Sequence, residues 1–183
     1  EPMALINCYS RFMEDPEAAF VVLDLGSANV QVTIGIGSRL VFYRSIPGGG
    51  DQVNRAIAQG LKSSAEEVRL MRIAIQQGQD LGERADEIDR WLKLWADAAA
   101  RDIDNCLRYF ESMFRDKELT RLIFTGGQAR DTGLCRILAE MLELPAQIGD
   151  PMTIIAAGKG MSADQEVRTD LAVGIGLCLG ESD

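Results

Sequence analysis

Between residues 17 and 46, the apolar positions follow the spacing of three short strands. AAFVVLDL (18–25) is a continuous apolar run, NVQVTIGI (29–36) alternates Val or Ile with polar and small residues, and RLVFYRSI (39–46) follows. Only two or three residues separate consecutive runs, as in antiparallel hairpins. We therefore expect a three-strand antiparallel meander in which the most apolar run, 18–25, is the most central strand.

Beyond residue 50, the apolar spacing becomes helical and then alternates between helix and strand. Helical segments are indicated where apolar residues recur every three or four positions with Asp, Glu and Arg between them. The predicted elements are helices 51–64, 65–73 and 83–114, strand 121–127, helix 131–144, strand 145–149 and helix 170–180. The polar segment 156–169, which is rich in small residues, is predicted to be a loop, and we assign it no function.

This order of elements predicts an α/β fold. A meander followed by strand-helix-strand-helix units requires a mixed five-stranded sheet, in which the fourth strand lies parallel to the first and helices cover both faces. We expect the core to comprise about residues 17–61 and 119–183. Residues 62–118 or thereabouts are expected to form a helical subdomain outside this plan.

The charge balance argues against nucleic acid and anionic membranes as partners. The 183 residues include 28 acids and 19 bases, for a net charge of −9, without a run of Lys or Arg. Such a chain lacks the basic patch that binds phosphates. No segment reaches the ~20 apolar residues that span a bilayer, so we expect no direct membrane insertion. Because the sequence opens with Glu1-Pro2 and not Met, we expect it to be a piece of a longer chain.

Composition also limits the chemistry that the chain can perform. It contains no histidine, which excludes Ser-His-Asp and Cys-His mechanisms because these need a group that titrates near neutral pH. Any catalysis must use carboxylates, a metal or backbone donors. The cysteines form no C-x-x-C pair that would indicate zinc. We interpret them as buried thiols in a reducing compartment: Cys8, Cys106, Cys135 and Cys178.

Glycine-containing turns follow several of the predicted strands. They are DLGSAN (24–29), PGGG (47–50) and TGGQAR (125–130). Open α/β sheets bind ligands at the carboxyl ends of their strands, and glycine lets backbone N–H groups approach a ligand closely. Each turn alone also fits a purely structural role, since tight turns use glycine for positive φ. Their expected position at one edge of the sheet favours a ligand site.

Together these segments resemble the C-terminal lobe of the actin-like ATPases, which have a ribonuclease H-like fold, and most closely the type IV pilus assembly protein PilM family. EPMAL (1–5) is similar to the segment that enters this lobe, and DLGSANVQVTI (24–34) to the second phosphate motif. AEEVR (65–69) resembles the family's A-E-x-x-K helix, and LIFTGGQARDTG (122–133) begins a match to the adenosine motif. The resemblance covers nearly the full chain.

The resemblance implies a site for ATP and Mg²⁺, with the phosphates beside the first turn. The N–H groups around Gly26, Ser27 and Ala28 are expected to face the β- and γ-phosphates. Asp24 is expected to meet Mg²⁺ through water, because magnesium keeps much of its hydration shell. The alternative for Asp24 is a turn-forming acid.

On the nucleoside side, the resemblance implies roles for four further residues. Glu66 and Arg69 match the family's Glu and Lys beside adenine and ribose. Gly126 and Gly127 match the paired glycines that let the backbone pass close to the nucleoside. The alternative for Glu66 and Arg69 is an ordinary ion pair between positions i and i+3 of a helix.

Two departures from the family pattern weaken the case for catalysis. Ser27, Ala28 and Asn29 stand where the family's stronger ATPases have glycines and a threonine. The Asp-x-Gly phosphate loop of the first lobe has no counterpart, since DLG at 80–82 follows no strand. We therefore expect this chain to carry half of a site that a missing N-terminal lobe completes. Alone, it should bind ATP weakly and hydrolyse it negligibly.

The leading functional hypothesis is a cytoplasmic PilM-like platform. By resemblance, it would lie at the inner membrane through an assembly protein of a type IV pilus or related secretion machine, with nucleotide as a switching ligand. One alternative is an active ATPase or phosphotransferase of the superfamily. Another is a scaffold that has lost nucleotide, which surface exposure of Met71, Ile75 or Trp95 would favour.

Overall fold

The computed structural model describes residues 1–155 and 167–180 and has a mixed sheet of five strands. The strands are β1 (Ala19–Leu25), β2 (Asn29–Ile36), β3 (Arg39–Pro47), β4 (Leu119–Thr125) and β5 (Ala146–Ile148). Their order across the sheet is β3-β2-β1-β4-β5. β2 pairs antiparallel with both β1 and β3, whereas β4 pairs parallel with β1 and β5. The predicted meander, the central first strand and the parallel fourth strand are confirmed.

Helices cover both faces of this sheet, as predicted. They are α1 (Pro2–Tyr9), α2 (Gly50–Leu61), α3 (Ala65–Gln76), α4 (Glu83–Met113), α5 (Thr132–Leu142), α6 (Met152–Ile155) and α7 (Ala172–Leu179). α2 ends at Leu61 because Lys62 adopts a left-handed conformation with φ of 53°. Of the predicted loop 156–169, residues 156–166 lie outside the described part of the chain.

The sheet separates two apolar clusters because successive side chains of a strand point to opposite faces. Val21 and Leu23 of β1 belong to a large cluster with α2, α4 and α5, whereas Phe20 and Val22 belong to a smaller cluster with α1 and α7. α4 contributes residues such as Phe110 to the large cluster, so it shares a core with the sheet. A separate helical subdomain at about 62–118 stays a prediction.

The carboxyl ends of most strands meet at one edge of the sheet. β1, β3, β4 and β5 run in the same direction, and only β2 among the strands of this sheet runs opposite. The turns that follow Leu25, Pro47, Thr125 and Ile148 therefore lie side by side. This arrangement brings the three glycine turns together, as their positions after predicted strands suggested.

α1 and α7 form the layer on the smaller cluster. A β-carbon on Gly176 of α7 would overlap the carbonyl of Ala4 in α1, so glycine allows this close helix contact. The opposite side of α7 faces outward, and Leu177 is 67% exposed. The prediction of four buried thiols is wrong for Cys178, which lies on this outward side, whereas Cys8, Cys106 and Cys135 are buried.

No helix within residues 1–155 or 167–180 combines the length and the hydrophobicity that crossing a bilayer requires.

Candidate functional site

The first and third glycine turns are in direct contact. Gly126 has a φ of 85°, and a β-carbon at this position would overlap Oδ1 of Asp24 and crowd the backbone of Leu25. Gly127, the next residue, has open space around the position of a β-carbon. The two glycines therefore have different roles: Gly126 allows close packing on β1, and Gly127 leaves room on the outer side of the turn.

The second glycine turn is hydrogen-bonded to the first. The N–H groups of Gly48 and Gly49 donate to the carbonyl of Ala28 at 3.0 and 2.9 Å. Gly50 N donates to the carbonyl of Gly26 at 3.0 Å, and Asp51 N donates to that of Ser27 at 2.8 Å. These carbonyls satisfy the first N–H groups of α2, which would otherwise be ready donors for an anion.

The predicted phosphate residues keep only some of their backbone donors uncommitted. Gly26 N–H donates to the carbonyl of Asn29 at 3.0 Å, which closes the turn on itself. The N–H groups of Ser27 and Ala28 donate to no residue in the described part of the chain. Contact with a phosphate through the backbone therefore depends on Ser27 and Ala28 more than on Gly26.

Asp24 lies at the carboxyl end of β1 and is half-buried. Burial, and secondarily the negative charge of Glu1, raise the pKa of its carboxyl group. A nearby divalent cation would favour the ionised form of this single carboxyl group, which is compatible with a contact to Mg²⁺ through water. No cluster of three or more potential metal ligands occurs among the residues described.

A cavity of about 580 Å³ lies beside the third glycine turn, between α3 and the 3₁₀ turn Gly127–Arg130. This volume is within the range of small-molecule sites. Its walls come from α2, α3, the 3₁₀ turn, the start of α5, the end of β5 and residues 167–169. The lining residues used below are Asn54, Arg69, Arg72, Gly127 and Asp131. Of the four residues predicted for the nucleoside side, Arg69 and Gly127 line this cavity, and Glu66 and Gly126 do not.

Glu66 and Arg69 form an ion pair on the outer surface of α3. Arg69 Nη2 lies 2.7 Å from Glu66 Oε1, and the side chains are 52% and 64% exposed, respectively. The hydrogen bond from Arg69 lowers the pKa of Glu66. The i, i+3 pairing expected as the alternative is thus present, while Arg69 also borders the cavity.

A buried hydrogen-bond network holds Gly126 in place. The hydroxyl of Tyr9 in α1 lies 2.7 Å from Oγ1 of Thr125 and 3.1 Å from the carbonyl of Gly149. Thr125 donates to the carbonyl of Thr169 at 3.0 Å, and the Thr169 hydroxyl donates to the carbonyl of Gly126 at 2.8 Å. This network joins α1 to the turn after β4, and the sequence analysis did not identify it.

The sequence analysis also missed the buried cluster of Asn54, Arg72 and Asp131. Nη1 of Arg72 donates to Asn54 Oδ1 at 2.7 Å, and Nη2 donates to Asp131 Oδ2 at 2.9 Å. A signal was available in the sequence: Arg72 lies four positions after Val68, on the face of α3 that is buried in the core. An arginine on such a face needs buried partners.

Comparison with known proteins agrees with this architecture. A family model described as type IV pilus assembly protein PilM matches residues 3–182. The chain belongs to the PilM family. A comparison with curated protein sequences gives no significant match.

Solved structures show that this PilM-family chain has the actin-like ATPase fold. The structure of a PilM–PilN type IV pilus biogenesis complex matches with a TM-score of 0.70 and 20% identity, over 97% of this chain and 50% of that one. MreB5 of Spiroplasma citri bound to ADP matches with a TM-score of 0.65 and 12% identity, over 97% of this chain and 57% of the MreB5 chain.

The ethanolamine utilization protein EutJ from Carboxydothermus hydrogenoformans also has this fold. It matches with a TM-score of 0.61 and 16% identity, over 97% of this chain and 53% of that one. The chain thus spans about half the length of each of these three structures.

Proposed function

We propose that this chain is the C-terminal, nucleotide-binding lobe of a two-lobed PilM-like protein. The observation that carries the proposal is the cavity lined by Arg69 and by Gly127 of the third glycine turn, at the edge of the sheet where the three glycine turns converge. A nucleoside in this cavity would have its phosphates directed toward the turn of residues 26–28. The proposal follows the general rule that open α/β sheets bind ligands outside the carboxyl ends of their strands.

Each side of the proposed ligand is assigned to particular groups. Arg69 and Gly127 would border the nucleoside, with Glu66 orienting Arg69 through their ion pair. The N–H groups of Ser27 and Ala28, which donate to no described residue, would face the phosphates, and Asp24 would hold the hydration shell of Mg²⁺. When bound, the metal ion would supply charge neutralisation for the phosphates.

The proposed cellular role is that of an assembly platform. A PilM–PilN complex is among the structures similar to this chain. By analogy, we assign the protein a cytoplasmic location at the inner membrane, reached through a membrane-bound pilus or secretion assembly protein. Nucleotide would then shift the balance between open and closed arrangements of the two lobes.

The first turn favours a switching role for nucleotide over rapid turnover. Gly26 N–H is committed within the turn, and the first donors of α2 are committed to the carbonyls of residues 26–28. Fewer backbone donors are therefore left to stabilise charge on a transferred phosphate. Measurable hydrolysis by the two-lobed protein would support the alternative of an active ATPase or phosphotransferase.

The alternative of a scaffold without nucleotide has less support. Exposure of Met71, Ile75 or Trp95 would have favoured it, but all three are partly buried and packed against the large apolar cluster. A scaffold would also have no need for the cavity of about 580 Å³ beside the third glycine turn.

The test is a calorimetric titration of Mg-ATP into the two-lobed protein and into this chain alone. Gly127→Trp is the blocking variant, because a side chain at this position has open space and can enter the cavity. Gly126→Trp is unsuitable, since it would overlap Asp24 and disturb the fold. Met141→Trp, on the exposed surface of α5, is the matched control.

The proposal predicts tight binding by the two-lobed protein, weak binding by the chain alone, and loss of binding only in Gly127→Trp. Absence of binding by the folded two-lobed protein would refute both nucleotide hypotheses and leave the scaffold. Equal binding by Gly127→Trp and Met141→Trp would place the ligand outside this cavity.

A further inference from the structure

We infer that Arg72 is a positioning residue that sets the spacing of the cavity walls and so determines affinity for the nucleoside part of the ligand. The inference rests on the proposed nucleotide site. Arg72 lies on α3, Asn54 on α2, and Asp131 at the start of α5, so each member of the cluster comes from a different element. All three line the cavity.

The contacts of Arg72 link these elements into one unit. Its guanidinium bridges Asn54 Oδ1 at 2.7 Å and Asp131 Oδ2 at 2.9 Å. Asp131 uses its other oxygen to accept from Leu134 N at 3.0 Å, which caps the N-terminus of α5. A planar guanidinium with two partners fixes their separation, which a flexible ammonium group would not do.

The cluster is almost completely removed from water. Asn54 and Arg72 are each 5% exposed, and Asp131 is 7% exposed. Nε of Arg72 is also buried and has no hydrogen-bond partner among the described residues. Leaving such a donor unpaired is unfavourable.

These features are poorly explained by stability alone. Replacing a buried ion pair with neutral or apolar side chains is often harmless to stability, so such a pair is weak evidence for a stabilising role. The position of the cluster gives a better explanation. It holds α3, which carries Arg69, at a fixed distance from the turn that carries Gly127.

The inference is tested with the two-lobed protein carrying Arg72→Met together with Asp131→Asn. This double variant removes both charges, while asparagine retains a side-chain oxygen that can cap α5. Arg72→Lys is the second variant, because lysine keeps a positive charge beside Asp131 but lacks the planar fork that bridges two partners. Val68→Ala is the matched control: Val68 is buried on the same helix and does not line the cavity.

Calorimetric titrations with Mg-ATP and with magnesium tripolyphosphate are compared for each variant, together with urea unfolding of the free proteins. We expect the double variant to weaken Mg-ATP binding by about tenfold or more, as small misplacements of positioning groups do. Arg72→Lys should weaken it to a lesser degree. Tripolyphosphate binding should be unchanged, because it engages only the turn of residues 26–28.

Val68→Ala should lower the free energy of unfolding without changing the ratio of the affinity for Mg-ATP to the affinity for magnesium tripolyphosphate. A double variant or an Arg72→Lys variant that is folded and binds Mg-ATP like the wild type would overturn the inference while leaving the proposed function in place. An equal loss of affinity for ATP and for tripolyphosphate would overturn the inference, because it would show that Arg72 supports the structure of the whole site and not the nucleoside part alone. Absence of binding by the wild type would refute the proposed function, and the inference with it.

Discussion

Gly126 packs directly against Asp24, and the space between them is too small for a β-carbon. The contact joins the carboxyl ends of two parallel neighbours, β1 and β4. It places the one half-buried carboxyl of β1 against the turn that leads to the cavity. A change on either side of this contact should therefore affect both the fold and the candidate site.

Replacing Gly126 with alanine should destabilise the fold, whereas replacing Gly127 should not. At Gly126 the new methyl group would overlap Asp24, and the φ of 85° is unfavourable for a side chain. We expect a loss of about 1–3 kcal/mol in the free energy of unfolding, as for other strained backbone positions. Urea titrations of both variants measure this. Equal stability of Gly126→Ala and Gly127→Ala would contradict the described packing.

Asp24→Asn should raise stability and weaken metal-dependent binding at the same time. Burial, and secondarily the charge of Glu1, raise the carboxyl pKa in the folded state, so folding disfavours the ionised form of this side chain. An amide of the same shape removes this penalty. Thermal unfolding at pH 7 without magnesium should give a higher Tm for the variant.

The same variant should bind Mg-ATP roughly ten- to a hundredfold more weakly, the range seen when groups around a metal's first ligands are removed. Measuring ATP binding again in excess chelator separates the magnesium-dependent part of the affinity from the part that does not need the metal. If Asp24 is only a turn residue, magnesium will change the affinity for ATP by the same factor in the wild type and in Asp24→Asn.

The N-terminus of α3 should depend on Ser64. Its hydroxyl accepts from Glu67 N at 3.2 Å, and the Glu67 carboxylate accepts from Ser64 N at 2.8 Å, which is a capping box. Ser64→Ala should lower the free energy of unfolding by about 1 kcal/mol. Ser63→Ala is the control, since the Ser63 hydroxyl bonds to no described residue. The idea fails if both variants unfold at the same urea concentration.

The segment before α7 should contribute stability that is lost in acid. Hydrogen bonds from Arg168 lower the pKa of Asp170 to about 2 from its ordinary value of 3.8. The folded-state pKa is depressed, so this contribution is present above about pH 4 and declines as the pH falls toward 2. It should stay below ~1 kcal/mol, because solvent screens such exposed pairs.

Thermal unfolding of the wild type and Asp170→Asn across pH 2–7 measures this contribution. The wild type should be the more stable protein near neutral pH, and the difference should close in acid. A difference that does not change with pH would show that Asp170 acts through something other than its charge.

Sequence patterns were sufficient for the sheet because its strands have one-dimensional signatures. Alternation in residues 29–36 and the apolar run of 18–25 predicted the meander, and the positions of the glycine turns after strands predicted that these turns meet at one edge of the sheet. α1 had no such signature, because Ala4, Leu5, Ile6, Cys8 and Tyr9 are all buried and leave no polar stripe.

The details of the site depend on contacts that sequence spacing does not encode. Asn54, Arg72 and Asp131 are far apart in the chain, and only the packing of three helices brings them together. Likewise, Gly126 and Gly127 are indistinguishable as sequence letters. Backbone conformation separates them, since only Gly126 of the pair has positive φ.

The pairing of α1 with α7 has a consequence for how the chain folds. Asn7 and Gly176, which touch across these helices, are 169 positions apart in sequence. Closing so long a loop is entropically slow, so this pair of helices should form late. During synthesis α1 leaves the ribosome long before α7 exists, and the part of its apolar surface that α7 covers stays exposed in the meantime. The nascent chain is therefore expected to need chaperone protection for α1 until α7 has been made.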